Sequence, residues 1–331
     1  MIPFEHLGCT PDILDAFERR VRKLKKSAGA CLLGRVVSLD RGYPLVRTQA
    51  GQARAELATT VKKSDDSIVA VGDWVALSQP QGHEKDIIES VLPRTTEIAR
   101  VKRVGREKQL RRQVLAANVD RVFICQSLTG DGVDYNLLIR QMAAVAGCKA
   151  EPVFVFTKGD LVERAQVDEW MDKVAQIAPD ITTLVISSKD LSSVEEVRAL
   201  CLPGTTSLLL GESGVGKSSL VNALVGDEAE EVGEVRASDD RGRHTTVARR
   251  MVEVPGGGLI IDAPGLRTLQ IIDLECSLER AFPDIVDAAC GCRFRDCTHT
   301  EEPGCAVRDA VPAARLAAYH YLVSSDWRNR M

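Results

Sequence analysis

The period of apolar and polar positions changes along the chain, and each change marks a candidate domain. Residues 1–30 carry a helically spaced stretch, Asp12 to Lys26, acidic at first and ending in the basic run RRVRKLKK from Arg19. Between 31 and 93 come the short β segments LLGRVVSLD, YPLVRT, IVAVGDWVALS and DIIESVL, divided by RG, AGQ and QPQG. Short, evenly spaced strands predict a barrel or sandwich, and this length favours a five-stranded barrel of the oligonucleotide/oligosaccharide-binding (OB) type. From residue 119 the pattern becomes alternating strand and helix. Strands are expected at 119–126, 153–156, 183–187, 207–210, 250–254 and 258–262. Helices are expected at 136–147, 166–177 and 191–200, with one more opening near Gly216. That alternation predicts a parallel sheet covered by helices on both faces. The last part, to residue 331, holds a cysteine cluster and closes with a helix around ARLAAYHYLV.

The expected organisation is therefore multidomain. A helical extension covers 1–30, an OB-type barrel 31–93, a basic linker 94–112, an α/β domain 113–273, and a small cysteine-rich domain with a terminal helix 274–331. The span 94–112 holds eight basic and two acidic residues, so it is either a solvated connector or a surface for phosphates, where clustered cations gain affinity by releasing counterions. Over the whole chain, 43 Lys and Arg against 47 Asp and Glu give a net charge of −4, which excludes a uniformly basic nucleic-acid binder. With only 3 Trp, 4 Tyr and 7 Phe, a platform stacking many single-stranded bases is not expected. No apolar run approaches the ~20 residues of a membrane span and no secretory signal is visible, so a soluble, cytoplasmic chain is expected, with no membrane partner.

The residues of strongest chemical meaning are Gly211, Glu212, Ser213, Gly214, Val215, Gly216, Lys217 and Ser218, which fit GxxxxGK[ST] between an apolar strand and an apolar-periodic helix that carries Ser219. Such a loop wraps its N–H groups around phosphates at a helix N-terminus, its lysine reaches the β and γ phosphates, and its Ser218 hydroxyl ligates Mg²⁺. Downstream, Asp262-Ala-Pro-Gly265 ends a strand. The carboxylate can hold Mg²⁺ through water and the Gly265 N–H can meet the γ-phosphate. Between the two lies the loop from Asp240 to Thr246, DRGRHTT, in which Thr245 or Thr246 is a further candidate Mg²⁺ ligand.

Strand VFVF runs into Thr157-Lys158-Gly159-Asp160, close to the NKxD pattern but with Thr in first place. Asp160 can accept from guanine N1–H and the 2-amino group together, whereas adenine would leave the carboxylate partly unpaired at about 1–3 kcal/mol. One strand later, Ser187-Ser188-Lys189 resembles the SAK motif that meets guanine O6. The order is reversed from ordinary GTPases: the base-reading segments precede the phosphate loop. Such an order is expected of a circularly permuted GTPase, in which the segment after Gly265 leads straight into the C-terminal domain.

Of ten cysteines, six are scattered and read as small buried apolar residues. Four, Cys290, Cys292, Cys297 and Cys305, lie within sixteen positions. Cys292, Cys297, His299 and Cys305 give C-x4-C-x-H-x5-C, suited to a closed structural Zn²⁺ site, with Cys290 as a rival first ligand. Arg293 and Arg295 nearby could face phosphates or solvent.

Taken together, the barrel, TKGD, GESGVGKSSLVN, GRHTT, DAPG and CRFRDCTHTEEPGC resemble the RsgA/YjeQ family of ribosome small subunit-dependent GTPases over about residues 31–322. The resemblance implies GTP and GDP as ligands, the 30S subunit, its rRNA and assembly factors as partners of a monomer, and a role in late subunit maturation with hydrolysis stimulated by the subunit. Leu266 stands where many GTPases carry a water-orienting Gln, so intrinsic turnover is expected to be slow. The resemblance points to His244 as the group that positions or deprotonates water, beside Lys217. Two other readings are an rRNA-binding scaffold gated by nucleotide, with incidental hydrolysis, and an ATPase using the same phosphate loop. Trapping on RNA by a γ-blocked GTP analogue tests the first, and GTP against ATP binding tests the second.

Overall fold

A computed structural model describes residues 4–24, 31–40, 43–62, 69–80, 82, 85–104, 109–130, 132–226, 249–263 and 266–324. Helix α1 (Pro11–Lys23) opens where the Thr10 hydroxyl accepts the Ile13 N–H at 3.4 Å and Pro11 presets the first turn. Its Ile13, Leu14 and Phe17 pack against a small cluster containing Phe4, Leu7, Trp74, Leu92 and Leu259.

Strands β1 (Cys31–Asp40), β2 (Tyr43–Thr48) and β3 (Gly51–Leu57), the short helix α2 (Thr59–Lys62), then β4 (Trp74–Ser78) and β5 (Asp86–Val91) make a five-strand barrel. It closes because β1 pairs with both β2 and β4, β3 runs parallel to β5, and β5 returns against β4. Val36, Val46, Ala55, Val75, Leu77 and Ile88 fill its interior. β3 was not foreseen as a strand, because GQARAEL buries one small residue, Ala55, and shows no apolar alternation.

The span 94–112, expected as a linker, is instead mostly sheet. β6 (Glu97–Val104) and β7 (Gln109–Ala117) form an antiparallel hairpin. Counting charges hid the β-branched Ile98, Val101 and Val104 that favour extended backbone. Arg94 is unavailable to a partner: its guanidinium bonds both carboxylate oxygens of the fully buried Asp73, at 2.6 and 2.8 Å.

Next come β8 (Arg121–Ser127), α3 (Tyr135–Gly147), β9 (Glu151–Thr157), α4 (Arg164–Ile177), β10 (Thr183–Val185), α5 (Leu191–Leu200), β11 (Thr206–Leu210) and α6 (Lys217–Val225). Strands β12 (Arg249–Glu253) and β13 (Leu259–Asp262) follow. The order β10-β9-β8-β11-β13 is parallel throughout, and β12 lies antiparallel to β13. Successive residues of one strand serve opposite faces, as sheet geometry requires. Val122, Ile124, Phe154, Phe156, Leu208 and Leu210 join one core with α3, while Phe123, Cys125, Val153, Val155 and Leu209 join another with α5 and α6. Burial on both faces explains why these strands read as unbroken apolar runs.

Two features lay beyond sequence reasoning. β12 also pairs with β1, Ser38 opposite Arg250 and Leu39 opposite Arg249, so barrel and α/β sheet are one 11-stranded sheet. The C-terminal helices α7 (Leu274–Ala281), α8 (Pro283–Ala289), α9 (Ala306–Ala310) and α10 (Ala313–Val323) have no separate core among the described residues. Phe282, Ile285, Val307, Val311, Ala318 and Leu322 share one cluster with α3. Arg315, buried in α10, ties this part down through Asp284 at 2.7 and 2.9 Å and the carbonyls of Ile177 and Ala281 at 3.0 Å. No helix among the described residues is long and apolar enough to cross a membrane.

Arg35 joins the pieces. Buried in the middle of β1, it donates to the carbonyls of Leu7, Gly72 (3.3 Å) and Asn118 (3.1 Å) and to the Thr206 hydroxyl (2.9 Å), with its guanidinium 5.2 Å from the Trp74 ring. Burial pulls its pKa down to about 10, opposed by Asp120 and Asp73, so it stays charged at neutral pH. Arg35→Met leaves the Leu7 carbonyl and the Thr206 hydroxyl without this donor at about 1–3 kcal/mol each, while the Gly72 carbonyl keeps Asn118 Nδ2, and is expected to destabilise the fold by roughly 3 kcal/mol or more. Thermal unfolding checks this: an unchanged midpoint would contradict the assignment.

Candidate functional site

At the carboxyl ends of the parallel strands the separate motifs meet, which is where open α/β sheets bind ligands. The loop Gly211–Gly216 links β11 to α6. Its lysine, Lys217, donates to the carbonyls of Gly211 at 2.6 Å and Glu212 at 2.7 Å, so the ammonium lies across its own loop. Burial lowers the Lys217 pKa, and nearby Cys125 and Asp262 act the other way. Asp262, at the end of β13, has its pKa raised by burial against the pull of Arg250 and Lys217. Glu212, Ser213, Gly214, Ser218 and Ser219 are exposed.

Thr157 ends β9 and is buried, and its hydroxyl donates to the carbonyl of Val215 inside the phosphate loop, with Gln126 O as a second acceptor at 3.4 Å. The Thr in place of Asn therefore braces the loop rather than facing solvent, a role its sequence position did not disclose. Lys158 adopts a left-handed φ of 61° and turns the chain into the 3₁₀ turn Gly159–Leu161. A Cβ on Gly159 would lie 2.8 Å from Val185 Cγ1, so only glycine fits there. The Gly159 N–H bonds Ile186 O at 3.1 Å, which joins TKGD to the segment Ser187-Ser188-Lys189. In that segment the Ser187 hydroxyl accepts the Lys189 N–H at 3.2 Å, and Ser188 is exposed. Asp160 Oδ2 takes the Lys189 ammonium at 3.1 Å. The Ser187 hydroxyl, and after it Lys189, holds the Asp160 carboxyl below the usual carboxylate value. Asp160 thus lies three residues from a side chain that touches the phosphate loop, and Lys217 two residues beyond the carbonyl it touches.

Gly265, His244, Thr245 and Thr246 lie outside the described residues. Leu266 is buried in the α3 core, with its N–H bonded to Ala263 O at 3.0 Å.

The second site is in the C-terminal part. The ligand atoms of Cys292, Cys297, His299 and Cys305 all lie within 4.8 Å of one another. Cys292 Sγ and Cys305 Sγ stand 3.7 and 3.5 Å from His299 Nδ1. Thiolates at about 2.3 Å from a tetrahedral metal stand about 3.8 Å apart, so the donor set fits one ion. His299 has a φ of 63°, and Glu302 shapes its loop by accepting the N–H groups of Thr298 (2.8 Å) and Thr300 (3.0 Å). Those bonds, the Thr298 hydroxyl foremost, bring the Glu302 pKa to about 2. The N–H groups of Val307 and Ala306 lower the Cys292 pKa, while burial raises that of Cys297 to about 11 and lowers that of His299. Cys290 is exposed and bonds Val286 O at 3.7 Å, outside the cluster.

These elements, in this order, define a circularly permuted GTPase fold with a five-strand barrel before it and a Cys₃His cluster after it. A family profile described as RsgA GTPase matches residues 91–272. The chain belongs to the RsgA GTPase family, whose members hydrolyse GTP. A protein of Streptomyces avermitilis called small ribosomal subunit biogenesis GTPase RsgA is 39% identical over 303 residues, covering 90% of this chain and 80% of its own length. One of the same description from Mesorhizobium japonicum is 37% identical over 317 residues, covering 93% and 87%. Among solved structures, YjeQ from Thermotoga maritima superposes with a TM-score of 0.67 at 24% identity, over 88% of this chain and 96% of that one. YloQ, described as a circularly permuted GTPase, superposes with a TM-score of 0.65 at 21% identity, over 92% and 98%.

Proposed function

We propose that this GTPase acts on the small ribosomal subunit during its late maturation, binding rRNA and hydrolysing GTP when the subunit is engaged. The relatives' description supports the assembly role, and the junction of Thr157 with Val215 carries the nucleotide site, since it joins base-reading and phosphate-binding segments across the permuted order. In this reading Thr157, Lys158, Gly159, Asp160, Ser187, Ser188 and Lys189 surround guanine, with Asp160 accepting from the base. Gly211 to Ser219 hold the phosphates, with loop N–H groups and Lys217 on the β and γ oxygens. Ser218 and Asp262, with Thr245 or Thr246, would hold Mg²⁺, which neutralises charge developing between β and γ phosphates. Gly265 would meet the γ-phosphate.

Leu266 is packed into the core and cannot orient water, which supports His244 as the group that does. The test is GTP turnover with and without purified 30S subunits. Stimulation by the subunit is expected for the wild type and absent for His244→Ala, with GTP affinity retained. No stimulation of the wild type would refute the ribosomal role, and full stimulation of His244→Ala would remove His244 from the mechanism.

The domain reading keeps 31–93 as an OB-type barrel, supported by the strand order β1-β2-β3-β5-β4 with its parallel β3–β5 pair. The basic composition of the span 94–112 supports reading it as a segment that meets rRNA phosphates. Cys292, Cys297, His299 and Cys305 would hold one structural zinc, closing the loop between α8 and α9. Elemental analysis is expected to find about one zinc per chain, retained in Cys290→Ser and lost in Cys297→Ser. Zinc loss in Cys290→Ser would reverse the ligand choice.

A further inference from the structure

The stretch after Asp262 must be held in place if chemistry depends on its start, yet from Leu266 to Asp273 it forms neither helix nor strand. Gln141 supplies a hold. It stands on α3 with only 4% of its surface exposed, among Leu138, Met142, Ala144 and Val145. A buried amide in such company is costly unless both its polar ends are bonded. Both go to a single residue: Oε1 accepts the Leu269 N–H at 2.7 Å and Nε2 donates to the Leu269 carbonyl at 3.4 Å. The side chain thus pairs with Leu269 as a neighbouring strand would. The adjoining Gln270 is held from the other side, its Oε1 accepting the Val101 N–H of the hairpin at 3.0 Å. Leu266 and Leu269 sink into the same core as Met142.

We propose that Gln141 is a positioning residue for GTP hydrolysis: by clamping both backbone groups of Leu269 it holds residues 266–270 in register behind Asp262. The proposal rests on the reading of Asp262 as the carboxylate beside Mg²⁺. The role is to orient the segment and not to bind nucleotide, so it belongs to turnover and leaves affinity alone. Leucine at 141 would leave both Leu269 groups unpaired in apolar surroundings. An ionised glutamate would still accept the N–H but would face the Leu269 carbonyl with negative charge, whereas a protonated one restores both bonds.

Steady-state kcat and KM for GTP, measured on the full chain, test this with Gln141→Leu, Gln141→Glu and Asp262→Asn. Gln141→Leu is expected to lower kcat by about 10- to 100-fold with KM unchanged, the scale of a small misplacement near the chemistry. For Gln141→Glu, kcat relative to wild type is expected to be near one at about pH 6 and to fall toward about pH 9, because burial raises a carboxyl pKa into that window. Wild-type kcat for both variants at every pH, or a deficit in Gln141→Glu that ignores pH, would overturn the clamp. If Gln141→Leu does not fold, the Gln141→Glu profile decides alone. Unchanged turnover in Asp262→Asn would refute the underlying reading of the site and not the clamp.

Discussion

Lys217→Ala is expected to reduce GTP turnover by roughly 10³-fold, the scale of removing a charged donor from a preorganised site. The ammonium is the one cationic group of the phosphate loop, already donating to the carbonyls of Gly211 and Glu212. Triphosphate oxygens carry formal charge where those carbonyls do not, so they are the stronger acceptors. Burial lowers the Lys217 pKa, because a half-buried ammonium lacks part of its hydration, and an anion arriving at that place restores the lost stabilisation. Bonds from an ammonium to carbonyls are worth about 1.5–3 kcal/mol each where fully buried. These lie beside the exposed residues Glu212 to Gly214, where water replaces the ammonium in the variant and little stability is lost. The variant should therefore fold normally, with its defect confined to nucleotide. Turnover within a few-fold of wild type would show that this loop does not serve the γ-phosphate.

At the other end of the pocket, Asp160→Ala is expected to weaken GTP binding by about 100-fold, since two charge-assisted hydrogen bonds are lost at about 1.5–3 kcal/mol each, partly offset by water. ATP binding should hardly change, because adenine has no N1–H to give. The carboxyl is held below its ordinary value by the Ser187 hydroxyl and then by Lys189. A depressed acid stays ionised as pH falls until its own low pKa is reached, so it remains an acceptor through the whole neutral and mildly acid range. The ratio of GTP to ATP affinity, which cancels titration of the phosphates, should stay constant between about pH 8 and about pH 5. A ratio that collapses above pH 5 would mean that another group reads the base.

How much of this was legible beforehand follows from where the signals reside. The phosphate loop, TKGD, SSK and the cysteine–histidine spacing are local, because each chemistry demands particular residues a few positions apart. The strands β8, β9 and β11 were visible because burial on both faces leaves them continuously apolar. Three kinds of feature stayed hidden. The hairpin β6–β7 was masked by its own charge, its β-branched positions diluted among arginines and lysines. The joining of β12 to β1 is a pairing of strand edges more than 200 residues apart through Ser38–Arg250 and Leu39–Arg249, with no local pattern to announce it. Arg35 and Gln141 are polar residues whose partners, mostly backbone groups, come from distant segments, and nothing in their own neighbourhoods marks them. The Thr at 157 is visible in the sequence only as a departure from the Asn of the NKxD pattern. Its hydroxyl on Val215 makes it a brace for the loop.

The central claim is a single pocket that reads guanine at Asp160 and grips phosphates at Lys217, assembled in permuted order. Calorimetric titration of the wild-type chain with GTP and with ATP, each with Mg²⁺, tests it most directly. GTP is expected to bind at least about 100-fold more tightly than ATP, the margin set by the two base contacts of Asp160. Equal affinities, or a preference for ATP, would contradict the account.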